Sequence, residues 1–150
     1  NNAGIQGPIG RFEENDWQEV LKVINVNLLG TMYSMKCAIS MFKTMNADGT
    51  TIRDKSIINI SGGGATGARP FFTGYAVAKT GVVRATETLA RENEPYGIRI
   101  NAIAPGAMNT RMLEDILAAL SEDEKNELAS ILVRSYQKIR KHREDANAKG

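Results

Sequence analysis

Tyr75 and Lys79 are the pair of residues in this sequence that best suits acid/base chemistry. On a helix, side chains four residues apart lie on one face, about 6 Å from each other. An ammonium at that distance stabilises a phenolate and lowers the pKa of the tyrosine from its ordinary value of about 10. Tyr75 is therefore a candidate general acid/base near neutral pH. The same spacing is common on helices that have no catalytic role, so the pair needs support from other residues.

A glycine-rich stretch just before this pair matches G-x-G-x-x-G through Gly62, Gly64 and Gly67. A loop that binds dinucleotide phosphates needs its last glycine in the first turn of a helix, and an acidic residue about 20 residues later at the end of a strand. Pro70 follows too soon for such a helix, and Glu87 falls inside a predicted helix. We interpret the stretch as a sharp turn that brings the backbone close to a ligand, and expect no phosphate on its amides.

The elements that must position these residues alternate between helices and short apolar strands. Periodicity and turn residues predict a helix over 16–44, a strand over 56–60, a helix over 73–96 and a strand over 98–104. Two further helical segments are predicted, the second opened by Ser121 with Glu124. The inner stripe of the second helix is predicted to consist of Val77, Gly81, Val82, Ala85, Thr88 and Leu89. The pattern indicates an α/β fold with a parallel sheet covered on both faces.

The composition narrows the classes of function. The chain has 150 residues and a net charge of +2, which favours neither a nucleic-acid partner nor a membrane surface. Cys37 and His142 are the only cysteine and histidine, so neither a disulfide framework nor a metal site is predicted. No run of about 18 apolar residues is present, so no membrane span is predicted. The expected compartment is the cytoplasm.

Five sequence elements, taken in order, resemble the short-chain dehydrogenase/reductase family over about residues 1–113. They are "NNAG" (Asn1 to Gly4), "NLLG" (Asn27 to Gly30), the strand that ends at Ser61, Tyr75-x-x-x-Lys79, and Pro105-Gly106 with Thr110. The resemblance implies a Rossmann-like, doubly wound parallel sheet. It also implies hydride transfer between NAD or NADP and a small-molecule carbonyl or secondary alcohol, without indicating which of the two cofactors is used.

The resemblance implies a role for each matching residue. Tyr75 would be the acid/base, and Lys79 would lower its pKa and hold the nicotinamide ribose. Ser61 would hydrogen-bond the reacting oxygen, and Asn27 would anchor a water that leads from Lys79 to solvent. The other implied cofactor-binding residues are Asn2, Ala3 and Gly4 beside the ribose and Pro105, Gly106, Met108 and Thr110 beside the nicotinamide.

Two spacings depart from the family pattern. The family serine usually stands one residue nearer the tyrosine than Ser61 does, at the position that Gly62 holds here. We expect the glycine-rich turn to absorb the extra residue as a bulge after Ser61, which would leave the Ser61 hydroxyl directed at the Tyr75 hydroxyl. The gap between Trp17 and Asn27 is also wider than usual, so Asn25 is a rival for the asparagine role. Alternatively, Asn27 could serve only to stabilise its helix at a kink.

The family's phosphate-binding loop and first strands precede "NNAG", and its last strand follows the final residue of this chain. We therefore expect residues 1–150 to be a single, interior portion of a larger NAD(P)-binding domain. The alternative is a non-catalytic fragment or binding protein of the same fold. Apolar residues on more than one face of the two long helices predict a homodimer or homotetramer. Those residues include Met32, Met35, Met41, Phe42, Val82 and Val83.

Overall fold

The computed structural model of the protein describes residues 1–47, 55–105, 116, 118, 120–127 and 129–130. The chain divides into two compact units, Asn1–Met108 and Asn109–Gly150. The first unit contains α1 (Trp17–Val23), a π-helical segment (Ile24–Leu29), α2 (Gly30–Ala47), β1 (Lys55–Ile60), α3 (Thr73–Asn93) and β2 (Ile98–Ile103), with 3-10 turns at Phe12–Glu14, Gly63–Ala65 and Glu94–Tyr96.

In the second unit, the N–H and hydroxyl of Ser121 both donate to Glu124 Oε2, at 2.8 and 2.7 Å. That contact confirms the predicted helix start, whereas a single domain portion over 1–150 stays a prediction.

The predicted first helix forms, but its hydrogen-bonding pattern changes in the middle. Asp16 caps α1 by accepting a hydrogen bond from the Gln18 N–H at 2.8 Å. Within the π-helical segment the Gly30 N–H donates to the Asn25 carbonyl, five residues back. A π-helical turn accommodates one extra residue and changes which side chains face inward. Asn27 lies in this segment and is fully buried.

The sheet of the described residues consists of β1 and β2, which pair in parallel from Lys55 with Ile98 to Ile60 with Ile103. Its covered face packs on α2 and α3 around a core of Met35, Ile39, Ile57, Ile98 and Ile100. The opposite face is open in the described part of the chain, with Ile58 48% and Ile103 50% exposed. The expectation of cover on both faces is therefore not met by these residues, because both helices pack on the same side.

The inner face of α3 is polar at two positions that the sequence prediction left out. Lys79 and Thr86 are buried beside Ala78 and Val82, whereas Val77 is 55% exposed. Thr88, also assigned to the inner stripe, is exposed as well. Lys79 and Thr86 tolerate burial because both have hydrogen-bond partners, the Ile60 carbonyl and the Asn59 side chain. The predicted inner stripe is confirmed at Val82, Ala85 and Leu89, which are buried or pack on the core, and is wrong at Val77 and Thr88.

A buried hydrogen-bond network around Asn59 fixes the first residues of the chain against β1. The Asn1 backbone nitrogen donates to the Ile58 carbonyl at 2.8 Å, and the Ile60 N–H donates to the Asn1 carbonyl at 2.9 Å. The Asn59 side chain accepts from Asn1 Nδ2 at 2.7 Å and donates to Thr86 Oγ1 at 2.8 Å. This network places the segment that follows Asn1 at the carboxyl end of β1, which is the end of parallel strands where ligands usually bind.

Candidate active site

Lys79 lies on α3 with its ammonium directed at the carboxyl end of β1. It is only 5% exposed, and its Nζ donates to the Ile60 carbonyl at 2.9 Å. The same Nζ lies 5.7 Å from the centre of the Tyr75 ring, so the two side chains share one face of the helix. Burial lowers the pKa of Lys79.

The pKa of Tyr75 is raised, not lowered, in this structure. Burial of the half-buried phenol is the main cause, because desolvation disfavours the phenolate. The positive charge of Arg69 acts in the opposite direction and lowers this pKa. The expectation that Lys79 would lower the Tyr75 pKa is therefore wrong for this structure: burial prevails, and the cation that opposes it is Arg69.

Ser61 does not face Tyr75. Its side chain is 2% exposed, and its hydroxyl donates to the backbone carbonyl of Lys79 at 2.9 Å. The Ser61 N–H donates to the Ile103 carbonyl at 2.8 Å, which continues the pairing of β1 with β2 beyond Ile60. Because side chains alternate along a strand, Ser61 points to the covered face, as Asn59 does. The predicted bulge after Ser61 is wrong, and with it the assignment of Ser61 as the group that hydrogen-bonds the reacting oxygen.

Position 62 faces the Tyr75 hydroxyl instead. A Cβ added to Gly62 would lie 2.8 Å from Tyr75 Oη and 3.4 Å from Cε1 of the same ring. The sharp turn begins only after Gly62, at the 3-10 turn Gly63–Ala65. Gly64 in that turn packs on α3, with its would-be Cβ only 3.0 Å from Ala76 Cα. The position at which the resemblance implies a serine is thus occupied by a residue that has no side chain.

Asn27 joins the first residues of the chain to the site. Its Oδ1 accepts from the Ile5 N–H and its Nδ2 donates to the Ile5 carbonyl, both at 2.8 Å. A Cβ on the neighbouring Gly4 would lie 3.2 Å from Asn27 Oδ1 and 3.5 Å from Lys79 Nζ. Asn27 is fully buried and contacts Ile5 whereas Asn25 is exposed, and the asparagine role implied by the resemblance stays a prediction.

The remaining predicted cofactor-binding residues are only partly described. Asn2, Ala3 and Gly4 are exposed beyond the carboxyl half of β1, and Pro105 is half-buried after β2. Gly106, Met108 and Thr110 lie outside the described residues. Within the described ranges, no group of three or more histidine, cysteine, aspartate or glutamate side chains could hold a metal ion. No helix of that part of the chain is long and apolar enough to cross a membrane.

Arg69 is the residue of this site that the sequence prediction missed. Its guanidinium carbon lies 4.9 Å from the centre of the buried Phe72 ring, and its Nη1 lies 3.5 Å from the Cβ position of Gly63. Among the described residues, its buried Nε has no hydrogen-bond partner. The available signal was Pro70, because proline at the second position of a turn would have placed Arg69 at the start of a turn just before α3.

The chain matches a protein-family model described as enoyl-(acyl carrier protein) reductase over residues 1–140. It is 43% identical to 3beta-hydroxysteroid dehydrogenase 1 of Eggerthella lenta over 112 residues, which are 73% of this chain and 40% of that protein. The structure resembles ElxO with NADP bound at a TM-score of 0.66 and 33% identity, over 87% of this chain and 50% of ElxO. It also resembles 3-ketoacyl-(acyl-carrier-protein) reductase from Brucella melitensis complexed with NADH, at a TM-score of 0.67 and 31% identity, over 75% of this chain and 45% of that one.

The parallel sheet and the flanking helices define an α/β protein with a Rossmann-like fold, as the sequence predicted. The chain belongs to the short-chain dehydrogenase/reductase family, which confirms the resemblance found in its motifs. It spans 40 to 50% of the length of the curated relatives that it matches.

Proposed function

We propose that the protein is an NAD- or NADP-dependent oxidoreductase that transfers a hydride between nicotinamide and a carbonyl or secondary alcohol, with Tyr75 as the general acid/base. One observation carries this proposal: the Lys79 ammonium and the Asn27 side-chain amide both lie close to Gly4. Tyr75 lies one turn before Lys79 on the same face of α3. Family membership supports it, as do the nicotinamide cofactors named for the two solved structures.

The residues around Gly4 suit the ribose of such a cofactor. An ammonium has three N–H donors, and Lys79 uses one of them on the Ile60 carbonyl. Within the described residues the other two donors have no hydrogen-bond partner, so they can serve ribose hydroxyls beside the exposed Asn2, Ala3 and Gly4. We propose that these residues hold the ribose and that Pro105, Gly106, Met108 and Thr110 line the nicotinamide side.

Tyr75 would carry the proton of the reaction. The bound nicotinamide supplies the hydride in reduction and receives it in oxidation. In reduction the Tyr75 O–H bond breaks and the proton goes to the carbonyl oxygen, which leaves an alcohol and a Tyr75 phenolate. In oxidation the phenolate takes the hydroxyl proton of the alcohol back. Asn27 would hold the segment that carries Gly4 against Lys79, and its anchoring of a water between Lys79 and solvent stays a prediction.

The replacement Tyr75→Phe tests the acid/base assignment. It is expected to cut turnover by about 10²-fold or more while cofactor binding is largely kept, because the phenyl ring fills the same space but carries no proton. Turnover is measured from the absorbance of reduced nicotinamide, with a panel of carbonyl substrates and a panel of alcohol substrates. Cofactor affinity is measured by fluorescence.

The matched control for that experiment is Ser61→Ala, which removes a hydroxyl that lies in the core rather than at Tyr75. It is expected to leave turnover near the parent value and to reduce stability by about 1 kcal/mol. Turnover that survives in Tyr75→Phe and falls in Ser61→Ala would show that the acid/base has been assigned to the wrong residue.

The second candidate function is a binding protein of the same fold that performs no hydride transfer. Two observations favour it: position 62 has no side chain to donate to a reacting oxygen, and burial raises the pKa of Tyr75. Tight nicotinamide binding with no turnover of either substrate class would select this function over the first.

A further inference from the structure

The Arg69 guanidinium is a half-buried charge that has no ion-pair partner among the described residues. Its Nε is buried without a hydrogen-bond partner, and the ion pairs within the described part of the chain belong to Lys22, Arg84 and Lys125. Its guanidinium carbon lies 4.9 Å from the centre of the fully buried Phe72 ring. A guanidinium has five N–H donors in a planar fork that matches a carboxylate. Arg69 therefore has unused capacity to bind an anion.

Arg69 reaches the carboxyl end of β1, the end of parallel strands at which ligands usually bind. Its Nη1 lies 3.5 Å from the Cβ position of Gly63, which is exposed although Gly62 and Gly64 on either side of it are buried. A Cβ on Gly62 would in turn lie 2.8 Å from Tyr75 Oη. Because the Cα atoms of neighbouring residues are about 3.8 Å apart, these two contacts put the guanidinium at most about 13 Å from the Tyr75 hydroxyl. One small molecule can span that distance.

The turn that carries Arg69 is held in place by the backbone. The Phe72 N–H donates to the Arg69 carbonyl at 3.3 Å and closes the turn just before α3. The Gly10 N–H donates to the Phe71 carbonyl at 3.1 Å, which ties the same turn to the segment that begins at the proposed ribose-binding residues. Phe71 has a left-handed φ of 69°, which is rare for a bulky side chain and is typical of strained functional loops. The backbone thus holds Arg69 beside the site.

We propose that Arg69 determines substrate specificity: its guanidinium binds a carboxylate of the substrate, so the substrates of this site are oxo acids and the corresponding hydroxy acids. The inference rests on the proposed function, because it names the substrate class of the same site. A guanidinium and a carboxylate form two parallel hydrogen bonds, which are stronger than those between neutral groups. Partial burial over an aromatic ring strengthens the pair further, because less water competes for the charges.

The test compares charged substrates with neutral ones of the same shape. The intact protein is assayed with NADH and with NADPH on straight-chain oxo acids that have one to eight carbons between the two groups, each beside its methyl ester. We expect kcat/KM for the acid to exceed that for its ester by about 30-fold at the best chain length, as one charge-assisted pair would provide.

Replacements at position 69 assign that preference to the guanidinium. Arg69→Met keeps the stem over Phe72 and removes the charge, so it should lower kcat/KM for the acid about 30-fold, mainly through KM, to the level of the ester. Arg69→Lys keeps the charge but not the planar fork, so it should retain part of the preference. If Arg69→Met is too unstable, Arg69→Gln gives the same comparison.

Arg84→Gln is the matched control, because Arg84 lies on α3, is exposed, and pairs with Glu87 at 2.8 Å. It removes the same charge from the protein away from the Arg69 turn and should leave the preference for acids unchanged. Equal use of acid and ester by the parent enzyme at every chain length would overturn the proposal. So would a preference for acids that persists in a folded, charge-free variant at position 69.

A binding measurement separates this inference from the proposed function. Straight-chain carboxylic acids of the same lengths, which have no carbonyl to reduce, are titrated calorimetrically into the protein with NAD or NADP present, beside the matching primary amides. We expect the best acid to bind about 30-fold more tightly than its amide, and Arg69→Met to bind the two alike. Selective binding of acids by a protein that never turns over would uphold the role of Arg69 and refute the proposed function, whereas an active enzyme without that selectivity would do the reverse.

Discussion

At the scale of single residues, the packing of Gly62 on Tyr75 determines which groups can reach the Tyr75 hydroxyl. A Cβ at position 62 would come within 2.8 Å of the Tyr75 hydroxyl, which is the far end of a side chain and can move. The hydroxyl of Ser61, the residue that follows β1, donates to the backbone of α3. The site therefore combines the proposed acid/base, Tyr75, with a neighbour that has no side chain.

Gly62→Ala and Gly62→Ser separate the effect of bulk from the effect of a hydroxyl. Both add a Cβ that displaces Tyr75 Oη by a few tenths of an ångström, so both should slow turnover if the present geometry is productive. The serine adds a donor near the reacting oxygen, so we expect Gly62→Ser to be about tenfold faster than Gly62→Ala, as a single hydrogen bond to a charged oxygen would provide.

The control for this pair is Gly67→Ala, since a Cβ at Gly67 meets nothing within 4 Å and its backbone needs no left-handed φ. Steady-state kinetics of the four proteins make the comparison. Equal rates for the alanine and serine variants would show that a hydroxyl at position 62 has no part in the reaction.

At the scale of elements, the helices and strands were predicted well because their periodicity is strong, and the errors arose where polar side chains are buried. The predicted strand over 56–60 and helix over 73–96 correspond to β1 at Lys55–Ile60 and to α3 at Thr73–Asn93 followed by a 3-10 turn. The prediction that the Ser61 hydroxyl faces Tyr75 was wrong, because the pairing with β2 continues through the Ser61 N–H and turns the side chain toward α3. The sequence could not reveal this, because a serine suits both a buried backbone contact and an active site.

Asn27 shows how one element holds another in register. Its side chain makes two hydrogen bonds to Ile5 from within the π-helical segment and is fully buried. Asn27→Ala would leave the Ile5 N–H and carbonyl without these partners, so we expect a loss of about 2 kcal/mol in the free energy of unfolding. Urea titration followed by circular dichroism gives the value.

Asn25→Ala is the comparison variant, because Asn25 lies in the same segment but is exposed. Its change should stay within about 0.5 kcal/mol. If the two variants were equally stable, the Asn27–Ile5 contacts would have no part in holding the segment that carries Gly4.

At the scale of the whole molecule, the exposed side of α2 points to self-association. Leu29 and Met32 are 50% and 42% exposed, and Tyr33 and Met41 are 67% and 57% exposed. Leu29 ends the π-helical segment and the other three lie on α2, and we call these four exposed apolar residues the outer stripe. Met35 and Phe42, which the sequence prediction also assigned to assembly, pack in the core instead, and Val82 is buried. The face available for assembly is therefore narrower than predicted.

We expect the intact protein to be a homodimer or homotetramer that buries the outer stripe, since a helix that is apolar on both sides needs a second neighbour. Light scattering at micromolar concentration measures the mass, and the double variant Met32→Lys with Tyr33→Lys should lower it. Glu13→Lys, an exposed change in the 3-10 turn Phe12–Glu14, should leave the mass unchanged. A monomeric parent protein would contradict the prediction.

The close approach of Gly64 to α3 has a consequence for how this site can diverge. Its would-be Cβ lies 3.0 Å from Ala76 Cα, so a larger residue at either position must push the 3-10 turn away from the helix. The same movement would withdraw Gly62 from the Tyr75 hydroxyl and open room for a side chain there. Among descendants of this sequence, bulk at position 64 and a hydroxyl at position 62 should therefore be gained or lost together.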